Sequence, residues 1–265
     1  MESLGIPVAL GRTAEVYAWE EGHILKLFRK WFPLDGVEYE AQIARVVHEA
    51  GLPVPAVGEI VEIEGRHGLV YERVIGALMF ETMVSRPWTI FRSARLLAEL
   101  QADMHMIDAV QGLPSQHQRL REKILAAEML TPELQEAALK ALRELPKGNQ
   151  LCHGDFHPGN VLMTDEGAVV IDWIDATNGN PLADVARSSL LMSKSPLPDD
   201  SPIRWILSLV REWFHGAYLR RYFQLRSGDW KEFAVWQIVN AAGRLSEGIP
   251  EEQELLALVQ GELSS

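Results

Sequence analysis

The sequence predicts an α+β fold in two lobes: a small β-sheet lobe carrying one helix, followed by a larger, mainly helical lobe. Three observations predict it. Alternating strand-like segments and hairpin turns crowd the first part of the chain, and helical periodicity dominates after Gly76. One hairpin-forming stretch, 151–172, then interrupts the helices with a dense set of polar residues. The boundary falls at residue 74, giving lobes 1–74 and 75–265, with the natural ligand cleft expected between them.

The elements follow in order. "EVYAWEEGHILKLF" (15–28) reads as two short strands around a Glu-Gly turn. "GVEYEAQIARVVHEAG" reads as a helix stopped at Gly51, with Pro53 and Pro55 marking the exit. "VGEIVEIEGRHGLVYERV" reads as a second hairpin turning at Gly65 to Gly68. Helical periodicity then covers about 88–108, 116–128, 132–144, 182–193, 203–224 and 230–246. "SPLPDDSP" (195–202) reads as a surface loop by its proline and aspartate content. Trp205, Trp213, Phe214, Tyr218 and Trp236 sit at helical spacing and are expected in the core, although such rings can also box a cationic amine.

Composition narrows the class of function. The 265 residues are 47% hydrophobic and 23% charged, with 25 basic against 37 acidic residues and a formal charge of -12. That balance argues against nucleic acid or an anionic membrane as partner and suits a cationic small ligand. Cys152 is the single cysteine, which excludes an intrachain disulfide and fits a reducing, cytoplasmic setting. The first residues carry no basic stretch leading into an apolar run, so no signal peptide is expected. No apolar run approaches the roughly 18 residues of a membrane span.

The chemistry concentrates in "LCHGDFHPGNVLM" (151–163). "VLM", the turn "TDEG" and "AVVI" read as a hairpin, whose paired ends bring Asn160 beside Asp172. An amide oxygen and a carboxylate are hard ligands suited to Mg²⁺. Asp155, five residues before Asn160 on a loop bent by Pro158 and Gly159, can face the same space without binding the metal. One carboxylate near a hydroxyl, with an Asn and an Asp on Mg²⁺, is a minimal set for phosphoryl transfer. His153, Asp155 and His157 are alternatively a possible Zn²⁺ or Fe²⁺ set, as in a metal-dependent hydrolase, but that leaves Asn160 and Asp172 without a role. His153 reads better as a structural pin of its own loop. For His157 both readings stand.

"HGDFHPGN" followed twelve residues later by "IDW" resembles the catalytic loop and metal aspartate of the aminoglycoside phosphotransferase and choline kinase-like family. The resemblance implies a bilobal protein-kinase-like fold with 1–74 as the nucleotide-binding N-lobe and 75–265 as the catalytic and acceptor-binding C-lobe. It implies Asp155 as the catalytic base, Asn160 and Asp172 as Mg²⁺ ligands, and ATP or GTP as phosphate donor. Asp175 and Asp184 correspond to later acidic positions of the family and are expected to support the loop. A protein kinase is the first rival; it would have Arg at Gly154 and Gly at Ile174, so a constitutively formed site is favoured.

The first lobe supplies further candidates. Lys26 is the one charge in "ILKLF" and shares a strand face with Ile24 and Phe28. On an edge strand it would simply be solvated. Glu40, however, heads the apolar stripe Ile43, Ala44 and Val47, and wants a cation. Lys26 is the nearest, and the pair can hold α- and β-phosphates. "GRTAEVY" stands where a phosphate loop would be, so Gly11, Arg12 and Thr13 are candidates there, against the plainer reading of an ordinary turn. The resemblance puts Tyr71 behind the adenine and the backbone of Glu72 and Val74 against its edge; for Tyr71 plain strand core is the alternative.

The expected reaction is Mg²⁺-dependent transfer of a γ-phosphate to a hydroxyl of a small amine- or sugar-like acceptor. Acidic stretches late in the chain suit a cationic one. A catalytically silent nucleotide-binding scaffold is the alternative, although its usual mark, loss of the base or a metal ligand, is missing here.

Overall fold

The computed structural model describes residues 4–196 and 202–263. The expected loop at 195–202 and its aspartates therefore lie largely outside the described residues. The chain divides into two compact units, 1–78 with 160–174, and 79–159 with 175–265. The division passes through the polar motif itself, between Gly159 and Asn160, whereas the sequence placed one boundary after residue 74.

The first unit is built on an antiparallel five-stranded sheet. Its strands are β1 (Ala9–Leu10), β2 (Ala14–Ala18), β3 (His23–Phe28), β4 (Val57–Ile63) and β5 (Arg66–Glu72), in the order β1-β2-β3-β5-β4. β3 is thus the central strand, which corrects the solvated-edge reading of Lys26. Alternation along β3 sends its side chains to two apolar layers. Phe28 packs with Ala14, Val37, Ala41 and Leu69, and Leu25 and Leu27 pack with Tyr17 and Val70 on the other side. Helix α1 (Leu34–Glu49) supplies Val37 and Ala41 to the first layer. It ends before Gly51, whose φ of +84° suits a residue with no Cβ.

The β4–β5 hairpin turns at Glu64 and Gly65, both with positive φ, as a two-residue turn between right-twisted strands requires. Gly68, expected in that turn, lies inside β5, where a Cβ would come within 2.7 Å of the Leu25 side chain. A second, three-stranded sheet joins β6 (Ala77–Leu78), β8 (Val161–Met163) and β9 (Ala168–Val170), confirming the hairpin expected after the polar motif.

The second unit is mainly helical. Its helices are α2 (Met79–Ser85), α3 (Ile90–Met104), α4 (Gln116–Leu125), α5 (Pro132–Glu144), α6 (Pro181–Lys194), α7 (Arg204–Leu225), α8 (Trp230–Arg244) and α9 (Glu252–Leu263). Strands β7 (Gln150–Cys152) and β10 (Thr177–Gly179) pair across it. Side-chain caps fix three starts: Thr131 for α5, Asn180 for α6 and Asp229 for α8. α2 and α9 went unpredicted. α9 looked like an acidic surface run, but Leu255 and Val259, one turn apart, are fully buried and anchor it.

Phe214, Tyr218 and Trp236 are buried as expected; Trp205 and Trp213 are instead 66% and 58% exposed. Both lie on α7, which has apolar residues on more than one side. Replacing fully buried Trp236 by Ala is expected to lower unfolding free energy by about 3–5 kcal/mol in a urea titration. Trp205→Ala is expected to change it by less than about 0.5 kcal/mol.

Candidate active site

In the first unit, Lys26 projects from the central strand toward α1. Its Nζ lies 2.8 Å from Oε1 of Glu40 and 3.2 Å from Oδ1 of Asp172. Glu40 is buried, and the same oxygen accepts a second bond from the Tyr71 hydroxyl at 2.9 Å. Tyr71 therefore braces the glutamate, a role that neither strand core nor an adenine wall had suggested. Burial and Glu40 raise the Tyr71 hydroxyl well above the usual tyrosine range, so it stays a donor. Burial would lower the Lys26 ammonium, but Asp172 and Glu40 outweigh it and raise it above its ordinary value. The lysine is therefore charged near neutral pH.

Asp172 follows β9 with φ of +64°. A left-handed conformation costs a residue with a Cβ about 1–2 kcal/mol, and such outliers concentrate at functional sites. Beside it, Ile171 N–H donates to the Asn160 carbonyl at 2.9 Å, extending the hairpin pairing by one step. Asn160, 8% exposed, is thus held across from Ile171 and next to Asp172, as the hairpin argument required.

The remaining first-unit candidates fare unevenly. Gly11 N–H donates to the Ala14 carbonyl at 2.8 Å, closing a tight turn, so that amide is committed within the chain. Arg12 is exposed and the Thr13 carbonyl accepts from Arg29 N–H at 2.8 Å. Glu72 N–H is likewise taken, by the Ala56 carbonyl at 2.8 Å. Val74 is half-buried, and its backbone groups have no hydrogen-bond partner among the described residues.

In the second unit, Asp155 is set by its loop. Its own N–H donates to His153 Nδ1 at 3.2 Å, and Gly159 N–H donates to His157 Nδ1 at 3.1 Å. With Nδ1 an acceptor, a neutral His157 carries its proton on Nε2, which faces Asp155 Oδ2 at 3.6 Å. Both histidines thus bond their own loop, the role that the sequence suggested for His153. Burial would raise the Asp155 carboxyl, but the His157 hydrogen bond and the Arg187 guanidinium hold it far below the usual carboxylate range.

Arg187 was not anticipated. Its Nε donates to the Gly154 carbonyl, its Nη1 lies 2.8 Å from Glu247 and its Nη2 3.8 Å from Asp155 Oδ1. Gly154 itself has φ of +80°, and a Cβ there would collide with the Asp175 carbonyl. Asp175 turns its side chain to Arg119 and Lys123, at 3.3 and 3.6 Å.

Beneath the loop lies Asp184, 1% exposed. Its Oδ1 accepts from Gly154 N–H at 2.7 Å, and its Oδ2 from His153 N–H at 3.2 Å, Gln101 at 2.8 Å and His105 at 3.1 Å. These donors outweigh burial and keep the carboxyl below its ordinary value. Burial keeps His105 neutral, so it donates from Nε2 to Asp184 while Nδ1 accepts from Tyr222 at 2.7 Å. Among the described residues, His105, Cys152 and Asp184 alone bring three metal-capable atoms together, within 4.8 Å. Their donors and acceptors are already committed, and burial keeps the Cys152 thiol protonated, so the cluster serves the loop. The signal for these residues was in the sequence: Gln101 with His105 and Tyr218 with Tyr222 are polar groups four apart on apolar helix faces, and Arg187 follows Asp184 by three.

A family model described as "Phosphotransferase enzyme family" matches residues 5–236. The chain belongs to the phosphotransferase enzyme family. This phosphotransferase is 29% identical over 175 residues to Acyl-CoA dehydrogenase family member 11 of Gallus gallus, covering 58% of this chain but only 22% of that protein. Solved structures share its fold. A thermostable mutant of aminoglycoside phosphotransferase APH(4)-Ia, in complex with AMP-PNP and hygromycin B, superimposes with a TM-score of 0.66 at 17% identity, over 98% of this chain and 91% of that one. The amicoumacin kinase hAmiN, with AMP-PNP, Ca²⁺ and Ami, gives 0.64 at 15% identity, over 96% and 86%. A choline/ethanolamine kinase family protein from Mesorhizobium loti gives 0.58 at 18%, over 96% and 84%. The chain thus has the α+β fold of these solved structures. No helix among its described residues is long and apolar enough to cross a membrane.

Asp184→Ala removes the acceptor for four donors at once. It is expected to cost about 3–5 kcal/mol of stability in chemical unfolding. Hydrogen exchange at the His153 and Gly154 amides should rise more than elsewhere in the unit.

Proposed function

We propose that this phosphotransferase moves the γ-phosphate of ATP, or GTP, to a hydroxyl of a small molecule. The observation that carries the reading is Lys26, fixed and charged between buried Glu40 and strained Asp172. A lysine held this way presents a positioned cation to the α- and β-phosphates, and Tyr71 keeps its anchor from turning away. AMP-PNP in two of the structural relatives supports an adenine nucleotide as donor. Val74 offers unpaired backbone groups for the base.

Asn160 and Asp172 suit a hard divalent cation, since an amide oxygen and a partly exposed carboxylate are oxygen donors and the Ile171–Asn160 backbone pairing keeps the two residues close. Mg²⁺, when bound there, neutralises phosphate charge. The phosphate-loop role of the 11–13 turn rests on Arg12 and Thr13, since Gly11 N–H is committed.

Asp155 carries the acceptor side. Its lowered pKa makes it a weak base but one that is ionised near neutral pH, suited to accepting a hydrogen bond from the acceptor hydroxyl and orienting it. As the oxygen attacks the γ-phosphorus, the bond to the β–γ bridging oxygen breaks and the nucleoside diphosphate leaves. The proton passes to Asp155 late in that step. Arg187 and His157 hold the carboxylate in place and anionic.

Nucleotide consumption should be followed with ATP and GTP, with and without Mg²⁺, over aminoglycosides, choline, ethanolamine, homoserine and simple sugars. Asp155→Asn is expected to retain nucleotide affinity and lose about 10²–10⁴-fold in turnover with the responsive acceptor. Lost affinity with unchanged turnover would refute the assignment. Asp172→Ala is expected to abolish Mg²⁺-dependent turnover, and Lys26→Met to weaken nucleotide binding. Binding without turnover of any acceptor, in the presence of Mg²⁺, would point to the scaffold alternative.

The pH dependence carries a definite sign. A depressed folded-state pKa means that Asp155 contributes stability above its unfolded value and loses it as pH falls toward the folded one. The carboxylate is therefore ionised across the working range. The kcat profile is expected to show no acid limb from Asp155 above about pH 4. An acid limb near pH 6 that Asp155→Asn abolishes would contradict the depressed value.

A further inference from the structure

Outside the residues assigned above, α3 and α7 enclose a groove of about 790 Å³, within the size range of small-molecule sites. Phe91, Arg95 and Glu99 line it from one face of α3, spaced by four. Trp213, Gly216 and Arg220 line it from one face of α7. We propose that this groove binds a planar aromatic anion, a flat ring bearing a carboxylate, phosphate or sulfonate, against the exposed faces of Phe91 and Trp213.

Four observations converge on that ligand. The Phe91 and Trp213 rings are 53% and 58% exposed, with centroids 6.5 Å apart and planes only 25° from parallel. A pair so open and so nearly parallel offers stacking faces to a flat ring. Gly216 lies in the interior of a 22-residue helix, where glycine is among the least stable choices. Packing does not excuse it, because a Cβ at Gly216 would meet nothing within 4 Å. The glycine therefore leaves the floor of the groove clear.

The charges point to an anion. Glu99 is neutralised by Arg221, whose Nη2 lies 2.6 Å away. Arg95 and Arg220 have no ion-pair partner among the described residues, and Glu212 is the one other acid on the lining. The groove thus holds a surplus of positive charge on a chain whose formal charge is -12. None of these side chains takes part in the proposed transfer, so the inference stands apart from that reading.

Calorimetric titration of the full chain with three probes separates the possibilities. Naphthoate carries both features, cyclohexanecarboxylate only the charge, and naphthalenemethanol only the flat ring. Naphthoate is expected to bind one per chain, with the other two at least about tenfold weaker. Arg95→Gln with Arg220→Gln should bring naphthoate down to the level of the neutral ring. Gly216→Leu fills the floor and improves helix propensity, so it should abolish binding while raising the melting temperature. Absence of saturable binding, equal affinity for the three probes, or unchanged naphthoate binding in Gly216→Leu would each overturn the proposal.

Discussion

The ionised carboxylate of Asp184, cut off from water, is the interaction on which the second unit depends. A buried charge persists only when protein donors replace its hydration. Here those donors are two consecutive backbone amides of the Asp155 loop and side chains from α3, with a tyrosine of α7 one bond further out. One electrostatic demand therefore ties three helices to the conformation of a single loop. The loop is held through its backbone amides, not through the Asp155 side chain.

The first unit answers the same demand with the signs reversed. A lysine in the middle of a sheet needs anions, and it receives one from a helix and one from the hairpin end. The two anions differ in character. Glu40 is buried and doubly bonded, a fixed support; Asp172 is partly exposed and strained, a group with capacity to spare. That asymmetry suits the proposed phosphate and cation site, where one partner would hold still while the other engaged the ligand.

Much of this was legible in the sequence, because it followed from spacing. The hairpin 161–170 fixed the pairing of Asn160 with the segment before Asp172, and helical periodicity put Glu40 on the buried face of α1. The illegible part has two physical sources. Short strands such as β6, β7 and β10 are two or three residues long, and non-local pairing makes them. Polar networks were missed because a lone Gln or His on an apolar face is ambiguous until its partner from another helix is known. Trp213 shows the converse limit: helical spacing located it on α7 but could not say which of that helix's apolar sides meets the core.

Gly154 has a consequence for how the family's chemistry can be controlled. The left-handed backbone and the Asp175 carbonyl close that position to every side chain, an arginine included. The guanidinium beside Asp155 comes instead from α6, where it is already neutralised by an acid of the same unit. A covalent mark that worked by recruiting an arginine at position 154 would find no side chain there. One backbone angle therefore decides that position 154 carries no side chain, and that the cation near Asp155 must reach it from a helix.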